Sequence, residues 1–552
     1  MVFPQATSVQ REHRESLRAG APTVAPPSLV ADLGAGAELR ETHISWVLLF
    51  EQWVLKIKKP VNLGFVDFST LELRRAACEA EVTLNARLAP GVYRGVVPIL
   101  RGADGRARLG AVGESAREEL TASLGGEVID WAVSMRRLPD TDRADHRLCA
   151  GRLERADIES LARLLARFHA AAATGARIAR FGSLDAVGCN VRENFVQARS
   201  ALREVVTERE AAQVEQQQLA FLEENGALFD RRLRSGRIRD GHGDLRLEHV
   251  YFHSPDPPLV LDCIEFNERF RYGDVCSDVA FLSMDLAWHG RRDLAELLLA
   301  AYARESDDYD LYSVVDFYES YRAYVRAKIC AIGYTSPGVG VDARKRLERD
   351  ARRYLLLALA AERPRIEPPR LIAVGGTIAS GKTTLAEALG QRLSAPVIES
   401  DRTRKALLGV SAETPMPDEP WRGAYSDDQT DKVYAELLRR AETVIESGRS
   451  VIVDASFRTR AMRQGVRQLS RALGVAFTFV ECRVPLEVSR ERLRERATAP
   501  SVSDGRSVIL DDFLSRYEPV VEVPPAEHAV VTSAGPVSES LAQLVARGVL
   551  SE

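Results

Sequence analysis

The segment from Gly376 to Thr383 constrains the fold of this chain more than any other. It reads GTIASGKT, fits the pattern G-x-x-x-x-G-K-[ST], and lies between the apolar stretch Leu371–Val374 and a helical pattern that begins at Lys382. Glycines in such a turn let backbone N–H groups curl around phosphate oxygens at a helix N-terminus, where the helix dipole favours an anion. The candidate nucleotide-binding residues are Gly376, Thr377, Ile378, Ala379, Ser380, Gly381, Lys382, Thr383 and Thr384.

Two side chains of this turn have specific predicted roles. Lys382 is expected to bridge the β- and γ-phosphates of ATP, and the hydroxyl of Thr383 is expected to ligate Mg²⁺. ATP and Mg²⁺ are therefore the predicted cofactors.

Strands alternate with helices through this part of the chain. The pattern predicts strand 371–374, a helix from 382, strand 397–399, helix 430–446, strand 451–454, helix 459–473, strand 476–480 and a late strand 529–531. Such alternation predicts a parallel sheet with helices on both faces. The expected fold class of this part is α/β.

Carboxylates follow two of these strands, at the edge where open α/β sheets bind ligands. Asp454 is expected to hold Mg²⁺ through water, and no Glu follows it to activate a hydrolytic water, which argues against a motor ATPase. Asp401 is expected to take the proton of an acceptor hydroxyl, with Arg402 or Arg404 binding an anionic part of that acceptor. A helix-capping Asp with solvated arginines is the alternative.

Arg492 and Arg496 are candidates for a lid. They lie four residues apart, share one face of a predicted helix, and are expected to close over the transferring phosphate. Alternation with Glu491 and Glu495 is also typical of a solvated helix.

Residues 370–535 resemble the small P-loop kinases of the gluconate kinase and polynucleotide kinase type, and specifically a family of predicted bacterial ATP-binding kinases. The resemblance implies ATP binding and phosphoryl transfer. It leaves the acceptor open.

The N-terminal half has a strand-rich part followed by a helical part. Residues 44–58, ISWVLLFEQWVLKIK, predict two strands with a turn at Glu51-Gln52. Residues 69–88 predict a helix and Val128–Met135 a further strand, while the apolar period from Ile158 to Phe168 predicts a helix that faces a core.

Prolines indicate where the domains begin and end. Residues 1–36 carry several prolines without a sustained apolar period and predict a disordered tail with no packed element. Pro364, Pro368 and Pro369 predict a linker at 363–369. We therefore expect one domain at 37–362 and a P-loop domain at 370–552.

A second pair of carboxylates lies in the N-terminal half. Asp244 belongs to the segment HGDLRLEH at 242–249, and Asp262 to LDCIEF at 261–266, which follows an apolar strand. One carboxylate near an acceptor hydroxyl and one on the metal are what kinase chemistry needs.

This segment resembles the aminoglycoside phosphotransferase family, a branch of the protein-kinase-like fold whose catalytic loop reads H-G-D-x-x-x-x-N. The resemblance implies a bilobal α+β domain in which Asp244 is the catalytic carboxylate, Asp262 a Mg²⁺ ligand and Asp278 an anchor of the loop. It places Arg246 where a basic side chain neutralises charge on the γ-phosphate.

The likeness extends upstream. It implies that Lys56 contacts the α- and β-phosphates, with Lys58 on the same strand face as the alternative. Its ion-pair partner would be Glu81 or Glu79, and backbone groups near Met135 would bind adenine at a hinge. Residues 41–45 and 56–60 match an uncharacterised subfamily often fused to a P-loop domain.

Two departures from the family pattern affect the metal and the nucleotide. His249 stands where the family has Asn, and as a candidate second metal ligand its imidazole is poorer for Mg²⁺ than an oxygen. No glycine lies between Glu41 and Lys56, so the usual glycine-rich cover of the phosphates is absent from the sequence.

Composition excludes several other classes of protein. Lys+Arg 75 against Asp+Glu 79 gives a net charge of −4, and no basic stretch is interleaved with aromatics, so nucleic acid is not an expected partner. Neither a signal peptide nor a membrane span is expected, and scattered cysteines without a C-x-x-C pair are typical of reduced cytoplasmic thiols. The acidic run at 305–310 is expected to be a solvated loop and His169 to be structural.

The resulting expectation is a cytoplasmic protein of two fused ATP-dependent kinases, each acting on an unidentified small hydroxylated acceptor. In one alternative the N-terminal domain is a catalytically inactive sensor that regulates the P-loop domain. In others the P-loop domain is an ATPase switch or a polynucleotide 5′-kinase.

Overall fold

The computed structural model describes residues 27–34, 36–64, 66–111, 127–253, 256–361, 368–412, 414, 416, 421–496 and 510–550. The strands are β1 (Glu38–Glu41), β2 (Ser45–Leu49), β3 (Trp53–Lys58), β4 (Tyr93–Arg101), β5 (Ala107–Leu109), β6 (Glu127–Arg136), β7 (Ile238–Asp240), β8 (Val250–Tyr251), β9 (Leu259–Val260), β10 (Tyr272–Asp274), β11 (Arg370–Gly376), β12 (Val397–Glu399), β13 (Val451–Asp454), β14 (Ala476–Arg483) and β15 (His528–Thr532). The helices of the first half are α1 (Pro27–Leu33), α2 (Leu71–Asn85), α3 (Ala144–Cys149), α4 (Arg155–Ala171), α5 (Ala176–Ala179), α6 (Leu184–Leu202), α7 (Glu208–Glu224), α8 (Gly226–Arg234), α9 (Glu268–Arg271) and α10 (Val275–Trp288). Those of the second half are α11 (Arg292–Ser306), α12 (Val315–Thr335), α13 (Val341–Ala361), α14 (Lys382–Leu393), α15 (Ser400–Leu407), α16 (Asp427–Glu446), α17 (Arg460–Ala472), α18 (Leu486–Arg496), α19 (Leu510–Ser515) and α20 (Val537–Ala546).

The chain forms two compact units. The first comprises Met1–Cys149 and Glu248–Arg271, and the second comprises Ala150–Leu247 and Tyr272–Glu552. The second unit thus combines the P-loop part with helices expected to belong to the N-terminal domain. The domain boundaries at 37–362 and 370–552 stay predictions, and residues 362–367 of the expected linker lie outside the described residues.

The first unit is built on an antiparallel sheet with the strand order β1-β2-β3-β6-β4-β5. The hairpin expected at 44–58 is confirmed as β2 and β3, which pair Ser45 with Lys58. Alternate side chains of this hairpin, among them Leu48, Leu55 and Ile57, are buried in one core because successive strand residues face opposite sides of a sheet. Helix α2 packs against the sheet and begins after Thr70, whose hydroxyl accepts a hydrogen bond from the Leu73 N–H.

Helix α1 corrects one expectation. Leu29 and Leu33 pack against the core of the sheet, and the Asp32 carboxylate accepts a hydrogen bond from the Ala107 N–H at 2.8 Å. The expectation that residues 1–36 hold no packed element is therefore wrong for Pro27–Leu33, since two leucines one helical turn apart are enough to bury one face. Residues 1–26 lie outside the described residues.

Helices surround the loop at 242–247 in the second unit. The predicted period from Ile158 to Phe168 is confirmed in α4, where both residues are buried.

The expectation of a solvated loop at 305–310 is wrong, because Asp307 accepts two hydrogen bonds from Arg440 of α16. The acidic composition of residues 305–310 does not reveal that Asp307 and Asp310 pair with arginines more than a hundred residues away.

A parallel five-stranded sheet in the order β12-β13-β11-β14-β15 forms the C-terminal part of this unit. Its core contains Ile372, Val374, Leu385 and Val480, which belong to strands and to the helix packed on them. The α/β fold expected from the sequence is confirmed. In this register Val374 and Glu399 both lie opposite Asp454, so β12 and β13 end at the same level of the sheet and β11 continues to Gly376.

No helix among the described residues is long and apolar enough to cross a membrane.

Candidate functional site

A tight turn links β11 to helix α14 in the second unit. Gly376, Ala379 and Gly381 have φ values of 139°, 60° and 85°, a region that residues other than glycine rarely adopt. A Cβ atom on Gly376 would lie 2.5 Å from the carbonyl oxygen of Cys482, so only glycine fits there. The turn therefore leads directly into the helix N-terminus, where backbone N–H groups bind anions.

Side chains around this turn hold its shape. Lys382 Nζ donates to the Thr377 carbonyl at 2.7 Å, and Ser533 Oγ donates to the Ser380 carbonyl at 2.5 Å. The buried hydroxyl of Ser380 has no hydrogen-bond partner among the described residues. Ile378 and Ala379 pack against an apolar cluster that includes Leu493, whereas Thr384 is exposed on the helix.

Thr383 and Asp454 lie together at the strand ends. The Thr383 hydroxyl donates to the Asp454 carboxylate at 2.6 Å. The pKa of Asp454 is raised to about 7, mainly because burial disfavours the charged carboxylate. The Lys382 ammonium and the hydrogen bond from Thr383 oppose this rise, and the carboxylates of Glu399 and Asp401 add to it.

The donor atoms of this pair fit Mg²⁺. A hydroxyl and a carboxylate are both oxygen ligands of the kind that Mg²⁺ prefers. In the part of the chain that the structure describes, no group of three or more His, Cys, Asp and Glu side chains is arranged to hold a metal ion. The pair therefore suits a metal ion whose other ligands are water molecules and phosphate oxygens.

Asp401 lies in the first turn of α15, directly after β12. Of the two alternative arginines, Arg402 points towards Glu399 and Glu305, at 3.5 and 3.8 Å. Arg404 is buried, donates to the Ala424 carbonyl at 2.8 Å, and leaves its Nε without a partner among the described residues.

Sequence reasoning missed a further buried arginine of the P-loop part, Arg458. Arg458 follows β13 by four residues, is buried, and bonds Asp427 at 2.8 Å. Burial raises the pKa of Tyr434, and hydrogen bonds with Ser456 and Phe457 and the positive charges of Arg404 and Arg458 oppose that rise. The signal available in the sequence was the position of Arg458 just beyond β13, the strand that ends in the carboxylate of Asp454.

Arg492 contacts the turn itself. Its guanidinium donates to the carbonyls of Ala379 at 3.3 Å, Ser533 at 2.7 Å and Ala534 at 3.2 Å. The structure thus shows Arg492 bonded to backbone carbonyls beside the turn, and its lid role stays a prediction. Arg496 ends α18, and its side chain lies outside the described residues.

Two lysines of β3 share one carboxylate in the first unit. Lys56 lies 2.8 Å from Glu81 and 2.5 Å from Asp262, whereas Lys58 lies 2.5 Å from Glu81 and also bonds Glu265. The Lys58 side chain is fully buried, while that of Lys56 keeps 14% of its surface exposed. The geometry favours Lys56 over Lys58 as the lysine that a ligand reaches.

The first unit also distinguishes Glu81 from Glu79 as the ion-pair partner of Lys56. Glu81 is fully buried between both lysines, whereas Glu79 pairs on the surface with Arg75 at 3.0 Å. Burial lowers the pKa of Lys56, but the Asp262 and Glu81 carboxylates outweigh it and hold that pKa well above the ordinary value. Lys56 is therefore a permanent cation.

Asp262 has a backbone conformation that is uncommon for a residue with a side chain. Its φ is 63°, its N–H donates to the Tyr93 hydroxyl at 3.3 Å, and His249 Nε2 lies 3.6 Å from its carboxylate. Although burial disfavours its charge, Lys56 and His249 hold the pKa of Asp262 well below the usual range. Its side chain keeps 46% of its surface exposed and remains open to a ligand.

Met135 lies inside the sheet. It belongs to β6 and pairs with Val54 on one side and Tyr93 on the other. Its backbone is therefore within the sheet ladder, and the hinge role at adenine stays a prediction.

The loop at 242–247 in the second unit is held by two buried aspartates. Asp278 accepts hydrogen bonds from the N–H groups of His242 at 2.6 Å and Gly243 at 2.9 Å, and Asp285 accepts one from Leu247. His169, expected to be structural, lies with its Nε2 3.4 Å from Asp278.

Asp244 is engaged by Arg246. Nε and Nη2 of Arg246 donate to the two carboxylate oxygens, each at 3.0 Å. The resemblance predicts that Arg246 faces a γ-phosphate, whereas here its guanidinium is bonded to Asp244. Both side chains lie in one loop, so a ligand phosphate would compete with Asp244 for the guanidinium.

Comparison with known families confirms the two predicted resemblances. The Phosphotransferase enzyme family matches residues 75–318, and a family described as AAA domain matches residues 371–520. Uncharacterized proteins of Mycobacterium tuberculosis and Mycobacterium bovis are each 33% identical to this chain over 460 residues, which cover 83% of this chain and 86% of theirs.

Solved kinase structures are similar to about a third of the chain. A sugar kinase of a Janibacter species is 18% identical with a TM-score of 0.26 and covers 33% of this chain and 96% of its own. A gluconokinase of Sinorhizobium meliloti is 24% identical with a TM-score of 0.24, covering 32% and 91%. The Mycobacterium tuberculosis APS kinase CysC is 18% identical with a TM-score of 0.26, covering 34% and 100%.

Proposed function

The chain belongs to the family of these mycobacterial proteins and joins a phosphotransferase domain to a P-loop kinase-like domain, and from this premise we propose that its C-terminal part transfers the γ-phosphoryl group of ATP to a small hydroxylated acceptor. The observation that carries the proposal is the Thr383–Asp454 hydrogen bond beside the turn that ends at Lys382. A carboxylate and a hydroxyl in contact at the N-terminus of a helix suit a nucleotide phosphate and its cation.

The residues of this part divide the chemistry among them. Lys382 leaves the Thr377 carbonyl and binds the β- and γ-phosphates, while backbone N–H groups of 376–383 bind the remaining phosphate oxygens. Thr383 and Asp454 would hold Mg²⁺, which would supply positive charge to neutralise the phosphates. Asp401 takes the proton of the acceptor hydroxyl, so that oxygen attacks phosphorus as the bond to ADP breaks.

The acceptor of this part is anionic. Arg404 and Arg458 are both buried, and the Nε of Arg404 has no hydrogen-bond partner among the described residues. Buried guanidinium groups are stabilised by an anionic ligand such as a carboxylate or phosphate.

The N-terminal domain is a second ATP-dependent phosphotransferase. The ion pair of Lys56 with Glu81, together with the exposed carboxylate of Asp262, supports binding of the ATP phosphates and their metal ion. Asp244 would act on the acceptor hydroxyl once a phosphate draws Arg246 away.

Two observations favour the alternative of an inactive sensor for this domain. The bidentate bond of Arg246 occupies the carboxylate of Asp244, and His249 takes the place of an amide ligand. Nucleotide binding without transfer would then regulate the P-loop domain.

Labelled ATP and a small-molecule metabolite extract test both proposals. Wild type, Lys382→Ala and Asp244→Ala are incubated separately, and the labelled products are compared. We expect one product to vanish with Lys382→Ala and a different one with Asp244→Ala. Unchanged products for Asp244→Ala, with nucleotide binding intact, would support the sensor. A Lys382→Ala protein that still forms every product of the wild type would contradict the P-loop proposal.

A further inference from the structure

Helix α11 and the turn that follows it pack against the P-loop part within the second unit. Arg440 forms two hydrogen bonds with Asp307, at 2.7 and 2.9 Å, and the Tyr309 hydroxyl donates to the Val397 carbonyl at 2.8 Å. The Arg440 guanidinium also lies 5.1 Å from the centre of the Tyr309 ring. This contact reaches the first residue of β12, the strand that leads to Asp401.

Arg304 of α11 makes the contact with the most direct bearing on the site. Its Nε donates to Glu399 at 2.7 Å and its Nη2 donates to Glu387, also at 2.7 Å. Glu399 is the buried last residue of β12, and Glu387 belongs to α14, the helix that begins with Lys382. One guanidinium therefore joins the strand on the acceptor side to the helix on the nucleotide side.

Glu399 connects the Arg304 contact to Asp401. It is the N-cap residue of α15, and Asp401 follows in the first turn of that helix. In register it lies opposite Asp454. A shift of Glu399 would therefore displace Asp401 relative to the Thr383–Asp454 pair, and displacements of about 1 Å in a reacting group cost about a hundredfold in rate.

The same helix reaches the other candidate loop. Tyr302 of α11 bonds His169 Nδ1 at 2.8 Å, and His169 contacts Asp278, which holds the loop at 242–247. Two residues later, Arg304 contacts the P-loop part. The position of Arg304 is therefore fixed by a buried helix and not by a flexible surface segment.

We propose that Arg304 is a positioning residue for phosphoryl transfer in the P-loop site, where it holds Glu399 and Glu387 together and so fixes Asp401 relative to Lys382 and Thr383. The inference rests on the proposed function of that site. It assigns to a residue outside the matched P-loop segment of 371–520 a part in ordering the catalytic groups.

The test compares Arg304→Gln and Arg304→Lys with a matched control in the full-length protein. Arg439→Gln is the control, because Arg439 bonds Asp310 at 2.7 Å in the same contact but lies at its exposed edge. Amide hydrogen exchange is measured for residues 399–407. The kcat and the KM for ATP are measured for the transfer activity that Lys382→Ala abolishes, with the metabolite extract as the source of acceptor.

We expect Arg304→Gln to raise exchange in 399–407 and to lower kcat at least tenfold, with KM for ATP within twofold of wild type. Arg304→Lys should recover part of kcat, and Arg304→Gln combined with Glu399→Gln should be no slower than Arg304→Gln alone. Arg439→Gln should behave as wild type.

Two results would overturn the inference. One is unchanged exchange and kcat in Arg304→Gln, and the other is an equal loss in Arg439→Gln, which would indicate only a general effect of the contact. A wild type without Lys382-dependent transfer would instead contradict the proposed function, and the exchange of 399–407 would still decide whether Arg304 orders that segment.

Discussion

The hydroxyl of Thr383 and the carboxylate of Asp454 are joined by a 2.6 Å hydrogen bond that links the start of α14 to the end of β13. Both oxygens lie at the edge of the sheet where β11, β12 and β13 end. Because the hydroxyl and the carboxylate already lie side by side, they need little rearrangement to bind a divalent cation that also contacts a phosphate.

Asp454→Asn should raise the Mg²⁺ concentration needed for half-maximal transfer by about 10- to 100-fold, because an amide binds the water shell of the ion less well than a carboxylate. Titration of activity with MgCl₂ at fixed ATP measures this. Equal Mg²⁺ requirements for variant and wild type would show that Asp454 is not involved with the metal.

Asp401→Asn should lower kcat for transfer by about 10²- to 10⁴-fold and leave ATP affinity unchanged, because the amide cannot accept the proton of the acceptor. Asp428→Asn is the matched control, since Asp428 also lies in the first turn of a helix but is exposed. Single-turnover transfer and ATP binding are compared for the two variants. A kcat for Asp401→Asn near that of Asp428→Asn would exclude the role of general base.

Lys58→Met should affect mainly the stability of the protein, and Lys56→Met mainly its nucleotide binding. Lys58 lies fully buried between Glu81 and Glu265, so its removal leaves buried carboxylates with less compensation and costs about 3–5 kcal/mol of the free energy of unfolding. Lys56→Met should cost less, because Asp262 is half exposed to water, but it should abolish ATP binding by the N-terminal domain. Urea denaturation, and ATP titration in a Lys382→Ala background, measure the two effects, and a more stable Lys58→Met than Lys56→Met would contradict this assignment.

Glu319 should make stability depend on pH. Its pKa is raised to about 7, mainly because burial disfavours the charged carboxylate; the Asp316 carboxylate contributes to this rise, and the Arg449 guanidinium opposes it. Because the native pKa exceeds the unfolded value of 4.5, the native state retains this proton, and the free energy of unfolding falls as pH rises from about 4.5 to about 7.

Glu319→Gln should therefore be more stable than wild type by about 1–3 kcal/mol at pH 8 and equal to it at pH 4.5, since the amide still accepts the hydrogen bond from Ser283. Exposed Glu224→Gln serves as the control. A stability difference that is the same at both pH values would contradict the assigned titration.

The sequence predicted those features that depend on local patterns. The turn at 376–383 needs glycines at fixed spacing, and the hairpin at 44–58 needs only alternation, so the structure agrees with the predicted elements in both segments. The choice between Lys56 and Lys58 was not available from sequence, because residues two apart on a strand share a face and only burial separates them.

Contacts between distant segments were beyond the reach of pattern analysis. The acidic run at 305–310 is typical of a solvated loop, yet Asp307 and Asp310 pair with Arg440 and Arg439 more than a hundred residues away. Arg492 has helix-face spacing that suits a lid, whereas the structure gives its donors to backbone carbonyls. Partners of this kind are set by tertiary packing.

The most direct test of the central claim is calorimetric titration of Mg²⁺·ATP into the Lys56→Ala protein, with and without Lys382→Ala. In the Lys56→Ala background the turn at 376–383 is the remaining proposed nucleotide site. The account predicts binding of one ATP per chain that is lost when Lys382 is also replaced. Equal affinity and stoichiometry in both proteins would contradict it.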